Sequence, residues 1–286
     1  MPYSSPLTTD QPAQPILPAL ANNSVLLPAY LFNYYYLSPR EHTSNRQPTM
    51  PSLYTAQSKD TLEKVFGDRF PEARIIVFDG LRSDSNHLSQ TGWVWRAADD
   101  LLQLLKEEVG LLEKSIYRSP ILFLAENVGG IVLKQALIEA MRDWRYQDFV
   151  WRTTSLFFFG TLHRVDINSS IDKQFMRLVL ATEEEIPDPL IFIAESTAAF
   201  PSVSAQFSQL LSMFSVVNFI EDDEKVSVVG KFSSTFGHAA ESNVAANCSY
   251  QELWHFAPGD PKTDRLWGLI QSRMKSEGEY NHRMQM

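Results

Sequence analysis

Few side chains in this sequence are suited to covalent or acid–base chemistry. There is one cysteine, Cys248, and there are six histidines: His42, His87, His163, His238, His255 and His282. No two histidines form an H-x-x-x-H or H-E-x-x-H pair, so no metal site is expected. A single cysteine excludes an intrachain disulfide and a thiolate metal cluster. Cys248 could serve as a nucleophile with His238 or His255 as base. A reactive thiolate needs an electropositive setting, however, and no Lys or Arg stands near it in sequence, so an inert thiol is expected. The richest segment is Pro120–Ala140, PILFLAENVGGIVLKQALIEA. It reads as a buried strand, a sharp turn and a helix, the local frame that presents a nucleophilic serine in hydrolytic chemistry. Asn127 stands at the apex. A carboxamide has no ionisable proton near neutral pH and a delocalised nitrogen, so it cannot be an acyl acceptor. Asparagine does tolerate the positive φ such an apex requires.

The elements around that turn follow from periodicity. Arg74–Phe78, Ile121–Leu124 and Leu156–Phe159 are short unbroken apolar runs, and Ser215–Ile220 and Val226–Val229 also read as strands. Helical spacing covers Lys59–Phe66, Ala97–Ile116, Ile131–Trp144, Ile171–Leu180, Ala205–Phe214 and Thr263–Met274. The segment Ser24–Leu37 reads as one more strand with its following loop, and the tyrosines Tyr34–Tyr36 line a pocket or pack beneath the polar stretch that follows. Apolar strands separated by amphipathic helices give an α/β fold with a mostly parallel sheet covered on both faces. Residues 1–21, rich in Pro, Ser and Thr, bury too little apolar surface to order and are expected to be a disordered tail. Residues 22–286 are expected to form one domain.

With 44% hydrophobic content and a formal charge of −9, the chain is unlike a nucleic-acid or anionic-membrane binder. No transmembrane segment is expected, because Ser24–Leu37 is too short and contains Pro28. The cysteine count fits a reducing compartment, and a cytoplasmic location is expected. No cofactor motif is present, including any G-x-x-x-x-G-K-[ST] loop.

Five blocks resemble a known family. Residues 125–138, AENVGGIVLKQALI, are similar to its G-H-S-L-G-G-L-V-V-K-Q-A-L-I segment, and Phe158–Arg164 (FFGTLHR) to its F-F-G-T-P-H-R-G. Ala73–Phe78 (ARIIVF), Val216–Glu221 (VVNFIE) and Asn247–Phe256 (NCSYQELWHF) are similar to A-R-I-L-T-Y, I-V-S-F-Y-E and D-H-R-S-M-C-K-F. The family is the lipase-like α/β-hydrolases, serine esterases common in fungi and often placed before NACHT or NB-ARC receptor modules. The resemblance implies an α/β-hydrolase fold with a Ser–acid–His triad. It maps the serine onto Asn127, the histidine onto Cys248 and the acid onto Glu221, with Asp222 as the alternative. The family's His-Gly oxyanion segment has no clear match around Ser24–Leu37. His163 matches a family histidine outside the triad and is expected to be structural. The triad is thus degenerate at two positions, and a thiol is a poor proton shuttle beside an imidazole. The expected function is a pseudoenzyme that binds a protein or small ligand in the former cleft. The alternatives are an active enzyme with non-standard catalytic residues, in which Asn127 and Glu221 orient substrate, and a folded relic with a collapsed cleft.

Overall fold

The computed structural model describes residues 29–32, 59–71, 73, 75–78, 91–110, 120–166, 169–181, 188–221, 227–239 and 241–284. The expectations for residues 1–21, for Tyr34–Tyr36 and for Asp222 lie outside these residues.

Six strands form one sheet: β1 Ala29–Phe32, β2 Ile75–Phe78, β3 Ile121–Glu126, β4 Thr153–Phe159, β5 Ser215–Ile220 and β6 Glu241–Ala245. They lie in the order β2-β1-β3-β4-β5-β6, and every pairing is parallel. The helices are α1 Lys59–Arg69, α2 Trp93–Gly110, α3 Gly129–Arg142, α4 Gln147–Arg152, α5 Ile171–Ala181, α6 Pro189–Phe207 and α7 Pro261–Met284. Parallel strands need crossover connections, and these helices supply them from β1 through β5, with no described helix between β5 and β6.

Alternation along β4 shows the two covered faces. Phe158 packs at 4.7 Å from His163, with the Lys134 ammonium of α3 also over its ring. Phe159, one residue on, faces the other way and meets Trp254 and Phe256. Phe256 in turn packs on Phe66 of α1 and Trp267 of α7. Both faces of the central strands are therefore dry, which explains why β3 and β4 read as continuous apolar runs rather than alternating ones. This arrangement is the α/β-hydrolase fold.

Two expectations are corrected. The helix read over Ala205–Phe214 is the end of the much longer α6, followed by a 3₁₀ turn at Leu211–Met213. Pro201 inside α6 disguises it, since proline normally breaks a helix interior. Tertiary packing overrides that preference, with Phe192, Phe200 and Phe207 all buried. In the Val226–Val229 run, Ser227–Val229 belongs to no strand, and the last described strand is β6, whose polar sequence ESNVA carries no apolar signal. An edge strand needs only one buried neighbour, and Val244 provides it. Helix α4 also went unforeseen, being too short to show a period.

Candidate functional site

β3 carries the chain to the carboxyl end of the sheet, and α3 carries it back. Between them Asn127 adopts φ 50°, the left-handed region expected of the apex. Its N–H donates to the Phe159 carbonyl at 3.0 Å, tying the turn to the end of β4. Asn127 is 7% exposed, so its carboxamide is nearly enclosed. Close packing then fixes the turn. A Cβ on Gly130 would lie 2.4 Å from Thr161 Cγ2, so only glycine lets the first turn of α3 approach the segment after β4.

Glu221, just past β5, is buried. Its carboxylate accepts the Val228 N–H at 2.9 Å and the Val229 N–H at 2.8 Å. These two bonds tie the end of β5 to Val228 and Val229, so Glu221 holds backbone in place. Cys248 follows Asn247, which at φ 51° is the second non-glycine residue in the left-handed region among the described residues. Burial first of all pushes the Cys248 thiol up to about 11, which leaves it protonated at neutral pH. The expectation that no cation lies nearby is corrected. Lys262 acts on Cys248 across the fold, although its charge does not outweigh the burial. The Lys262 ammonium donates instead to the carbonyls of Glu252, Leu253 and His255, at 2.5, 3.1 and 2.6 Å.

His163 is buried, and its Nε2 lies 3.1 Å from Asn218 Oδ1. The Asn218 amide donates to Glu241 and Asn243, both at 2.9 Å, so its oxygen faces the imidazole and Nε2 carries the proton. His163 stacks on Phe236 with centroids 3.8 Å apart. Burial, then the nearby Lys134 charge, holds its pKa well below the usual imidazole value. Lys134 is fully buried, donates to the Leu162 carbonyl at 2.8 Å and faces the rings of Phe158, Phe200 and Phe236. Burial lowers its pKa well below the usual ammonium value.

The sequence reading missed Tyr250. Its ring lies against Gly160, where a Cβ would meet Tyr250 Cε2 at 2.6 Å. Its hydroxyl is buried without a hydrogen-bond partner among the described residues. Burial first, then the charges of Glu126 and Glu221, raises its pKa well above the ordinary phenol value. Tyr250 is thus a neutral phenol that senses the carboxylates of Glu126, beside the Asn127 turn, and Glu221. Only its place two residues after Cys248 hinted at this. Among the described residues no group of His, Cys, Asp and Glu could hold a metal ion, and no helix is long and apolar enough to cross a membrane.

The strand order and the strand–turn–helix at Asn127 place the chain in the class of α/β-hydrolase folds. No protein-family model matches it, and no curated protein does. Among solved structures it is similar to the hydrolase olei00960 from Oleispira antarctica, at 11% identity and a TM-score of 0.45. That likeness spans 86% of this chain and 91% of the other, and assigns no residue a role.

Proposed function

We propose that this protein is a degenerate relative of the lipase-like serine esterases that binds a protein or small ligand in place of hydrolysing an ester. The observation that carries the reading is Asn127 at φ 50° on the turn between β3 and α3. The backbone there has the conformation that displays a nucleophile, and the side chain offers none. Loss of the nucleophile alone typically removes about six decades of triad catalysis. The proton-shuttle position is filled by Cys248, a buried thiol held protonated. The carboxylate at the acid position accepts from two backbone N–H groups. The natural binding place is the carboxyl end of the sheet, where ligands lie in folds of this kind. Kinship with the fungal receptor-associated family, a cytoplasmic location and a single domain over residues 22–286 belong to the same proposal.

A second reading, an enzyme with unusual residues, is favoured by Tyr250. A buried phenol near two carboxylates can donate a hydrogen bond to a developing negative charge. One experiment separates the two. The parent protein and Asn127→Ser/Cys248→His are treated with a fluorophosphonate probe and a panel of p-nitrophenyl esters. Binding without catalysis predicts a silent parent and a labelled double variant. Labelling or turnover in the parent overturns the proposal, and loss of that turnover in Tyr250→Phe would give the chemistry to Tyr250.

A further inference from the structure

Lys134 of α3 and His163, past the end of β4, meet over the Phe158 ring, with the ammonium 5.8 Å and the imidazole centre 4.7 Å from its centroid. Phe158 and Asn218 are register partners on β4 and β5, so both bases lie on the α3 face of the sheet. Arg164 follows, donating to the Phe232 carbonyl, the Thr235 carbonyl and the Thr235 hydroxyl at 3.0, 2.7 and 2.7 Å. Among the described residues no carboxylate bonds to any of the three. Glu241 reaches His163 through the Asn218 amide, while Lys231 and His238 are exposed. His163 Nδ1 is buried without a hydrogen-bond partner among the described residues, and Nε2–H already donates to Asn218. A proton on Nδ1 would create a buried, unanswered donor within reach of the Lys134 and Arg164 charges.

The segment 230–238 closes this enclosure. Phe236 stacks on the imidazole at 3.8 Å, and the Ser233 carbonyl accepts the N–H groups of His163 and Arg164 at 2.7 and 3.2 Å. The Glu241 carboxylate accepts the N–H groups of Phe236 and Gly237 at 2.7 and 2.8 Å. Just before the segment stand Val228 and Val229, which Glu221 holds. Its fully buried side chains are Ser233, Ser234 and Thr235, so lifting it away uncovers little apolar surface beyond the Phe236 ring. Segments with so few apolar contacts can open while the rest of a fold stays intact. Lys134 would keep the rings of Phe158 and Phe200, whereas His163 would lose its cover.

We propose that segment 230–238 is a pH-operated latch, released from the α3 face of β4 and β5 when His163 takes up a proton, while the sheet stays paired. In the closed form burial and then the Lys134 charge oppose the imidazolium, and in the open form a solvated imidazole titrates near ~6.5. The open form therefore binds more protons below that pH, and opening is favoured as pH falls. The latch goes beyond the reading given for Asn127 and stands whether that turn binds or hydrolyses. The test is amide hydrogen exchange of the full chain, read residue by residue by nuclear magnetic resonance and corrected for intrinsic rates. It runs from pH ~7.5 to pH ~5.5, above the range in which carboxylates ordinarily titrate. The opening constant at the Arg164, Phe236 and Gly237 amides should rise about tenfold across that window, and that at Phe157 in β4 should not. His163→Asn should abolish the rise. A flat profile in the parent overturns the proposal even if that variant fails to fold. A rise that survives in His163→Asn, or an equal rise at Phe157, also overturns it.

Discussion

Asn127 and Asn247 share a left-handed backbone; the resemblance maps the serine onto the first, and the second directly precedes Cys248. Asparagine is tolerated there because its short polar side chain can bond locally, whereas a β-branched residue is strained. Asn127→Gly should therefore stay within about 1 kcal/mol of the parent in urea unfolding, and Asn127→Val should lose roughly 1–3 kcal/mol. Glu221 also holds backbone in place. Glu221→Ala leaves two N–H groups without their acceptor and should cost about 1–3 kcal/mol on the same measurement. His163 gives a pH signature. Its folded pKa is depressed, so below the ordinary value near ~6.5 the unfolded chain binds more protons than the fold. Its contribution is complete above that pH and is lost as pH falls. Stability profiles of the parent and His163→Asn should run parallel above pH ~7 and diverge below pH ~6, the parent falling more steeply. The lowered pKa of Lys134 acts in the alkaline range with the same slope. The parent should gain stability as pH rises toward ~10, and Lys134→Met should lose that rise.

At the scale of elements, the site depends on two glycines that let segments touch. Gly130→Ala would drive a methyl into Thr161 and should cost about 1–3 kcal/mol, with much of it restored when Thr161→Gly is added. A partial rescue in thermal unfolding would identify the contact between α3 and the segment after β4 as the cause, while additive losses would point to helix propensity instead. Gly160 is more demanding, because its φ of +56° and the Tyr250 ring both exclude a side chain. The same tight packing explains which elements were readable. β3, β4 and β5 are apolar because both faces are covered, so composition alone announces them. α6 and β6 were hidden, one by an interior proline that packing accommodates, the other because an edge strand keeps polar side chains in water.

For the whole molecule, one contiguous apolar core runs from Leu62 of α1 through the strands to Ile270 of α7. Such continuity predicts one cooperative unfolding transition, with near- and far-ultraviolet circular dichroism coinciding in urea; two separated transitions would divide the proposed single domain. The order of layers, the strand–turn–helix and the left-handed Asn127 were legible in sequence, because hydrophobic period and backbone tolerance are local properties. That the side chain at the apex, a carboxamide, is no nucleophile was legible too, since it is a matter of residue identity. What the side chains face was decided only by the fold. Lys262 comes near Cys248, Glu221 takes the N–H groups of Val228 and Val229, and Tyr250 comes to rest on Gly160. Each of these depends on strands far apart in sequence being brought into register, and burial and partnership are set by that register and not by the residue's own neighbours.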